Sequence, residues 1–354
     1  MNDETLQTAA AWAARGDQVA LATVVRTYRS APRPIGSVFA VSSSGEMAGS
    51  VSGGCVEGDI YSAAHELFAG GEDAPRLMHY GISDDLALEV GLACGGELWV
   101  SLEPYRPRPA LRRGAIAHVF GGDQNGRVLC FDADTDGLTG DLTGTLRTVA
   151  EEAIAEAVAT EASSATDLED GVTLFVESIH PAPRVVVVGA VDTAEALCRM
   201  AGTLGWRTAV VDPRTKFGTK ERMPSTDVLL TSWPDKAYPE LELEAADHLV
   251  VLTHDQKIDD PAISLALNLG VGYVGALGSR RTQEKRNQRL LESGNTEEQI
   301  GRIHGPVGLD IGAHSPAETA VAILAEIIAY RSGRSGQRLK DTTGRIHPTA
   351  EADA

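Results

Sequence analysis

The sequence predicts an α/β protein in two parts: an N-terminal α+β part with a mostly antiparallel sheet, and a C-terminal part with a doubly wound parallel sheet. Before residue 180, β-branched segments follow one another with few helices between them, which favours antiparallel pairing. After residue 184, apolar strands alternate with helices. The first of them is the uninterrupted apolar run VVVVGA (185–190), typical of a strand buried in a parallel sheet. The Pro-rich segment HPAPR (180–184) separates the two patterns.

The elements of the N-terminal part follow from local composition and turn signals. An Ala-rich segment at 4–15 ends at Gly16 and predicts a helix, and the β-branched run at 18–28 predicts a strand. Residues 104–114 are rich in Pro and Arg and are a candidate sub-boundary. The other predicted elements are strands near 37–42, 46–51, 75–80, 97–103, 115–120, 127–131 and 171–179, and helices at 55–68 and 145–160.

The C-terminal part has the alternation of strands and helices that is typical of a Rossmann-like fold. We expect two domains, at 1–180 and 184–330, and a mobile tail rich in Gly, Ser and Thr at 331–354. The predicted elements after the first strand are strands at 207–212, 227–232, 247–255 and 272–277, and helices at 193–204, 260–269, 280–292 and 316–330.

Composition excludes several classes of protein. The chain has 354 residues, 43% of them hydrophobic, which suffices for sizeable cores. It carries 31 Lys and Arg against 50 Asp and Glu, a net charge of −19, and such a field repels nucleic acid and anionic lipid surfaces. The sequence contains no run of 18 apolar residues and begins with polar residues. We therefore expect a cytoplasmic protein with no membrane span.

One cysteine lies in a glycine-rich loop before a predicted helix. In GSVSGGCVEGDIY (49–61), Gly53 and Gly54 precede Cys55 at the helix start. Free backbone N–H groups and the helix dipole at such a start attract negative charge and lower the pKa of a thiol. The pattern predicts a ligand site, and a tight strand-to-helix turn around a small residue is the alternative.

A second loop places Cys94 before Gly95 and Gly96. Neither loop has another Cys or His at zinc-ligand spacing, so the pair predicts one anionic or metal-bearing ligand that both loops face. The remaining cysteines, Cys130 and Cys198, lie within a predicted strand and a predicted helix, and we expect both to be packing residues. Four cysteines are too few for a disulfide scaffold.

The turn after the first C-terminal strand has the position of a dinucleotide-binding turn. Gly189 ends the strand, and Asp212 lies where an acidic residue binds a ribose. The fingerprint is broken, because Val191 replaces the glycine that would admit a pyrophosphate and Asp192 adds negative charge. We therefore do not expect ordinary NAD(P) binding, and we predict a capping box between Asp192 and Glu195.

A later turn, GALGSRRTQEKR (275–286), combines glycines with arginines. Ser279, Arg280 and Arg281 lie at a predicted helix start after a strand, which suits the binding of a phosphate. A capped helix with surface arginines is the alternative.

The loop at 305–319 carries the ionisable side chains of Asp310 and His314. It ends at Ser315, with Glu318 three residues later, the pattern of a capped helix start. Either ionisable residue is a candidate for function, although a structural loop is the more frequent case.

Together these motifs resemble the XdhC/CoxI family, the accessory proteins of xanthine dehydrogenase and related molybdenum hydroxylases. They lie in both predicted domains and span nearly the whole chain. The residues that carry the resemblance are APRPIGSVFAV (31–41), GSVSGGCVEGD (49–59), LACGGELWVSLEP (92–104), VVLTHD (250–255), YVGALGSRRT (273–282) and GPVGLDIGAHSPAET (305–319).

The resemblance implies a molybdenum-cofactor chaperone. Such a protein binds molybdopterin transiently, supports its sulfuration with a cysteine desulfurase and inserts it into a molybdenum hydroxylase apo-enzyme. We expect Cys55 to be the thiol nearest molybdenum and a candidate metal ligand, with Cys94 second. We also expect a homodimer. The rest of the expected cofactor-binding set is Gly53, Gly54, Glu57, Gly95, Gly96, Ser279, Arg280 and Arg281.

Two other functions stay open on the sequence. One is an NAD(P)-dependent oxidoreductase that uses the C-terminal domain. The family's usual turn is Gly-Ala-Gly-His, and the departures at Val191 and Asp192 count against it. The other is a scaffold for dehydrogenase assembly that binds no cofactor, and the paired cysteine loops count against that. We therefore expect a maturation factor rather than an enzyme.

Overall fold

The structure is a computed structural model, and it describes residues 2–28, 31–71, 73–81, 96–109 and 111–343. The chain divides between Pro181 and Ala182 into two compact units. Among the residues described, no helix combines the length and the apolar character needed to cross a membrane. The last eleven residues of the predicted tail, 344–354, lie outside the described residues.

The first unit opens with a five-stranded antiparallel sheet and two helices. Their bounds are α1 (Asn2–Ala14), β1 (Val19–Tyr28), β2 (Val38–Ser42), β3 (Met47–Gly49), α2 (Glu57–Gly70), β4 (Arg76–Tyr80) and β5 (Glu97–Pro104). The strand order is β3-β2-β1-β5-β4, so β1 is the central strand. The strands pair antiparallel, as predicted: β2 with β3 through a short turn, and β1 with both β2 and β5.

The central strand β1 is buried on both faces. Leu21 packs with Trp12 of α1 on one face, and Ala22 packs with Ile60 of α2 on the other. Because successive side chains of a strand point to opposite faces, an uninterrupted apolar run is what a strand covered on both sides requires. The sheet is therefore the middle layer between α1 and α2.

A second antiparallel sheet completes the first unit. Its elements are β6 (Gly114–Phe120), β7 (Val128–Asp132), β8 (Gly137–Gly140), α3 (Gly144–Thr160), β9 (Ser164–Asp167) and β10 (Thr173–Ile179). The strand order is β8-β7-β6-β10-β9. Ile154 of α3 packs against one face, while Phe120 and Phe175 on the other face pack with Val25 of β1.

The N-terminal part thus contains two antiparallel sheets, where the sequence predicted one. The junction is the segment between Pro104 and Gly114, which includes Pro107 and Pro109. Proline has no N–H group to donate to a strand ladder, so pairing stops there and a new sheet begins. The prediction of an α+β part with antiparallel strands is confirmed.

The second unit is a six-stranded parallel sheet with helices on both faces. Its elements are β11 (Arg184–Val188), α4 (Asp192–Thr203), β12 (Arg207–Val211), β13 (Val228–Leu230), α5 (Pro234–Glu240), β14 (His248–Val251), α6 (Gln256–Asn268), β15 (Tyr273–Ala276), α7 (Arg280–Glu292), α8 (Glu297–Gly301), β16 (Ile303–His304) and α9 (Pro316–Arg331). The strand order β13-β12-β11-β14-β15-β16 confirms the predicted Rossmann-like fold.

Burial of both sheet faces explains the apolar run at the start of this unit. Val185 and Val187 pack in the core that includes α4 and α9, whereas Val186 and Val188 pack in the core that includes α5, α6 and α7. The strand order reverses between β11 and β14. Ligands of doubly wound sheets bind outside the carboxyl ends of the strands at such a switch point.

Candidate functional site

The carboxylate of Glu57, the first residue of α2, ties together the glycine-rich loop before that helix. It accepts hydrogen bonds from the Ser50 hydroxyl (2.7 Å) and from the N–H groups of Val51 (3.1 Å), Ser52 (2.9 Å) and Gly54 (2.9 Å). The Ser52 hydroxyl also donates to it. Burial raises the pKa of this carboxyl, but the donated hydrogen bonds outweigh burial and lower the pKa to about 2.

A second anchor of the loop is the buried hydroxyl of Ser52. Its oxygen accepts from the N–H groups of Cys55 (2.9 Å) and Val56 (3.0 Å), and the Ser50 hydroxyl accepts from the N–H of Gly53 (2.8 Å). The expectation that these N–H groups are free is wrong. Side-chain oxygens of the same segment already occupy them, so the loop is internally satisfied and an external anion is not needed to hold its shape.

Cys55 itself is a free, exposed cysteine. Helix α2 begins at Glu57, two residues later than the predicted start, so Cys55 lies in the loop and not in the first turn. Gly53 and Gly54 have φ angles of +77° and +114°, and a Cβ atom at either would meet no neighbour within 4 Å. Backbone conformation therefore requires these glycines. They leave the surface before Cys55 free of side chains.

A cavity of about 610 Å³ borders this loop. Ser50 lines the cavity and also hydrogen-bonds Glu57, and Thr5 of α1 and the cation Arg33 line it too. Concave sites of this volume are typical of small-molecule binding. The cavity and the loop together form the candidate site of the first unit.

Sequence reasoning missed Arg33 and Thr5 as cavity residues. A signal existed for Arg33, because the segments 31–41 and 49–59 both carry the family resemblance. The structure makes them neighbours through antiparallel pairing of β2 with β3. Gly49 permits this close approach: it has φ +80°, and a Cβ there would lie 2.3 Å from the carbonyl oxygen of Val38.

Most of the second cysteine loop lies outside the described residues. Cys94 and Gly95 lie outside the described residues, and Gly96 is buried directly before β5. The convergence of the two loops on one ligand therefore stays a prediction. In the described part of the chain, no three or more His, Cys, Asp and Glu side chains are grouped as a metal site would require.

Cys130 and Cys198 are buried, as predicted for packing residues. Burial raises the pKa of the Cys130 thiol and raises that of Cys198 to about 12. Both thiols are therefore protonated at neutral pH and unsuited to metal binding.

The turn after β11 is closed by protein groups. The N–H of Ala190 (2.8 Å) and the guanidinium of Arg214 (2.9 and 2.7 Å) donate to the fully buried carboxylate of Asp212. Gly189 has φ +115°, and a Cβ there would lie 2.6 Å from the Thr253 side chain, so strand packing alone requires this glycine. Asp212, the acid at the ribose position, is therefore already paired with Arg214.

The predicted capping box at the start of α4 is wrong. The N-cap is Val191, and no side chain caps the helix. Glu195 instead accepts from the Ser225 hydroxyl (2.5 Å), and Asp192 is exposed at 3.5 Å from Arg222. Glu195 thus bonds Ser225, which is distant in sequence, instead of the helix start. Local spacing does not reveal such a partner.

The later glycine turn forms the start of α7. Ser279 is the N-cap, and its hydroxyl accepts from the N–H of Thr282 (3.1 Å). Arg280 and Arg281 are the first two helical residues and are exposed. Within the described ranges, neither arginine makes an ion pair, so both cations remain available to an anion.

The loop before α9 is a capped helix start. The Ser315 hydroxyl accepts from the N–H of Glu318 (3.2 Å), whose carboxylate accepts from the N–H groups of Ser315 (2.8 Å) and His314 (2.9 Å). This confirms the predicted box. The side chains of Asp310 and His314 are exposed, and a functional role for either stays a prediction.

Both units match models of one family. Residues 12–81 match the model described as the XdhC and CoxI family, and residues 185–327 match the XdhC Rossmann domain. The chain belongs to the XdhC and CoxI family. The first match contains the loop of Cys55 and Arg33, and the second contains the turn of Arg281, so both candidate sites lie in parts that define the family.

Relatives extend the similarity over most of the chain. A Bacillus subtilis protein named as a probable subunit of xanthine dehydrogenase is 28% identical over 335 residues, 89% of this chain and 94% of its own. The Escherichia coli molybdenum cofactor insertion chaperone PaoD is 26% identical over 317 residues, 89% of this chain and 84% of its own. A crystal structure titled as a xanthine dehydrogenase from Bacillus halodurans has the same fold. Its TM-score is 0.74 at 22% identity, covering 97% of this chain and 98% of the other.

Proposed function

We propose that the protein is an accessory factor that binds the molybdenum cofactor and inserts it into a molybdenum hydroxylase of the xanthine dehydrogenase type. Membership of the XdhC and CoxI family supports this proposal, as does the similarity to a chaperone named for molybdenum cofactor insertion. The cofactor is cargo here, taken up and released, and not a resident group.

The observation that carries the proposal is the exposed thiol of Cys55 on a loop whose hydrogen bonds are satisfied internally. A thiolate is a soft ligand suited to molybdenum. Glu57 and Ser52 fix the backbone around it, so the sulfur has a defined position before any cargo arrives.

The adjoining cavity supports the binding of a pterin with a phosphate tail. Its volume of about 610 Å³ accommodates a small organic cofactor, and Arg33, which lines it together with Glu4, provides a cation for a phosphate group. In this proposal, Gly53 and Gly54 let the cofactor approach the backbone beside Cys55, and Glu57 holds the loop without touching the cargo. Cys94, Gly95 and Gly96 complete the site from the second loop.

The proposal includes partners. A cysteine desulfurase supplies sulfur to the bound cofactor, and a cofactor-free hydroxylase accepts the product. Binding is transient because the cargo must leave. We propose that the working form is a homodimer. The acidic body, with a net charge of −19, suits electrostatic steering toward a basic surface of a partner.

Reconstitution tests the function directly. The protein is purified without air, loaded with molybdenum cofactor and mixed with a cofactor-free molybdenum hydroxylase, and hydroxylase activity is measured. We expect loaded protein to restore activity faster than free cofactor, and Cys55→Ser carried through the same loading to restore little. We also expect no oxidation of xanthine or an aldehyde by the protein alone. Steady turnover by the protein itself, after removal of trace dehydrogenase, would contradict the proposal.

A further inference from the structure

A second cavity lies in the second unit, at the carboxyl edge of the parallel sheet. It has a volume of about 470 Å³ and lies between the loop after β14 and helix α7. The loop contributes His254, and the helix contributes Arg281, Lys285, Arg286 and Arg289. The family motifs VVLTHD and YVGALGSRRT thus meet at one cavity, although they lie about one helix apart in sequence.

The helical residues place four cations on one side of α7, since positions three and four apart on a helix are neighbours on its surface. Arg289 is neutralised by Asp260, with contacts of 2.5 and 3.0 Å. Arg281 and Lys285 form no hydrogen bond or ion pair with the part of the chain that the structure describes. In a strongly acidic chain, two uncompensated cations beside a cavity mark a local site for anions.

Arg286 is a separate and stronger indication of an anion site at this cavity. Its side chain is 2% exposed, and it lines the cavity. One terminal nitrogen donates to Gln283 (2.6 Å) and the other to the carbonyl of Leu277 (3.1 Å), but the buried Nε atom has no partner. Buried polar groups of a native protein nearly always have partners, so Arg286, a residue that lines the cavity, keeps one unused donor for an anion.

The cavity contains one carboxylate of its own, which does not cancel these charges. Asp259 lies 3.5 Å from Arg286, longer than a good ion pair, and accepts a hydrogen bond from the Thr253 hydroxyl. Counted at full charge, Asp259 offsets Arg286, as Asp260 offsets Arg289, and neither offsets Arg281 or Lys285. The cavity therefore keeps a surplus of about two positive charges at neutral pH.

We propose that this cavity binds a phosphate-bearing anion, with Arg281, Lys285 and Arg286 as its ligands. A phosphomonoester or a pyrophosphate carries about two to three negative charges, which match the surplus, whereas a carboxylate carries one. The proposal goes beyond the function proposed above, because it holds whether the phosphate belongs to the pterin cofactor or to a nucleotide. It also assigns ligands, Lys285 and Arg286, that are absent from the predicted set.

Calorimetric titration with inorganic pyrophosphate tests the site on the full chain. We expect binding that weakens with salt, and a loss of about tenfold in affinity for each of Arg281→Ala and Lys285→Ala, the effect of removing one charge-assisted hydrogen bond. Both residues are exposed, so neither substitution threatens the fold. The matched control is Arg199→Ala, an exposed arginine of α4 that does not line the cavity and should keep wild-type affinity.

Parallel titrations with AMP and with released molybdopterin identify the source of the phosphate, since the true ligand binds more tightly than pyrophosphate. No binding of pyrophosphate, or equal weakening by Arg199→Ala, would overturn the proposal. Cofactor content of Cys55→Ser is measured separately. Unchanged cofactor content in Cys55→Ser would therefore not bear on the anion site of the second unit. Absence of pyrophosphate binding would likewise not bear on the role of Cys55.

Discussion

Arg214 holds the carboxylate of Asp212 from two residues further along the chain, with its Nε and Nη2 atoms at 2.9 and 2.7 Å. Hydrogen bonding to Arg214 and to backbone N–H groups lowers the pKa of this buried carboxyl in spite of its desolvation, so it stays ionised. The position that binds ribose in dinucleotide-binding folds is thereby used to fix the chain after β12.

Dinucleotide binding should accordingly be weak. We expect no binding of NADH or NADPH tighter than about 1 mM by calorimetry, because Val191, Asp192 and the paired Asp212 all oppose it. The double variant Val191→Gly, Asp192→His, which restores the usual turn of the family, should improve binding by about tenfold. Micromolar binding by the wild type would contradict this expectation and favour the oxidoreductase alternative.

Cofactor retention should depend on Cys55 and not on the buried thiols. Cys55→Ser changes one exposed atom, so we expect it to lose most bound molybdopterin while its melting temperature stays close to wild type. Cys198→Ala is the control: it removes a buried sulfur, should cost about 1–2 kcal/mol of stability, and should leave cofactor content unchanged. Molybdenum analysis and thermal unfolding measure the two effects. An unchanged cofactor content in Cys55→Ser would contradict the assignment of Cys55 as the thiol nearest molybdenum.

The anchor at Glu57 should control the exposure of the neighbouring thiol. Glu57→Gln replaces an ionised acceptor by a neutral amide and should reduce the free energy of unfolding by about 1–3 kcal/mol. The rate at which Cys55 reacts with a thiol reagent should rise, because the loop loosens. Glu156→Gln, an exposed change on helix α3 of the same unit, is the matched control and should alter neither quantity. An unchanged reaction rate in Glu57→Gln would argue against the anchor.

The same anchor predicts a pH dependence with a definite sign. The pKa of Glu57 falls from its ordinary 4.5 to about 2 in the folded protein. Its contribution to stability is therefore complete above pH 4.5 and is lost as the pH falls through 2. The difference in unfolding free energy between wild type and Glu57→Gln should shrink as the pH is lowered across that window in urea titrations. A difference that grows toward low pH would show that Glu57 is not held as an anion.

The sequence predicted most of the architecture because hydrophobic periodicity is a local property. Uninterrupted apolar runs marked β11 and β14, and the Pro-rich segment after residue 180 lies where the two units divide. The sequence did not predict four short elements, β8, β9, β16 and α8. They have two to five residues each, too few for a hydrophobic period to appear.

The site was predictable only in part, because some of its contacts lie within one short segment without following a known pattern, and others join distant residues. Glycine spacing identified the loop of Cys55, but no local pattern shows that Glu57 fills the donors of that loop. Arg33 and Arg286 owe their positions to strand pairing and helix packing, which a single sequence does not display. Residue type suggested the chemistry, and tertiary contacts decided which groups are free to perform it.

The loop of Cys55 has a kinetic consequence for the proposed role in carrying the cofactor. Its backbone donors are satisfied by Ser50, Ser52 and Glu57 of the loop itself. In that role, uptake should require no ordering of this loop, and departure should leave none of its backbone donors without a partner. A carrier of this kind loses no affinity to folding on arrival and meets no refolding barrier on release. The residence time of the cargo is then set by its own contacts and by the acceptor that competes for it.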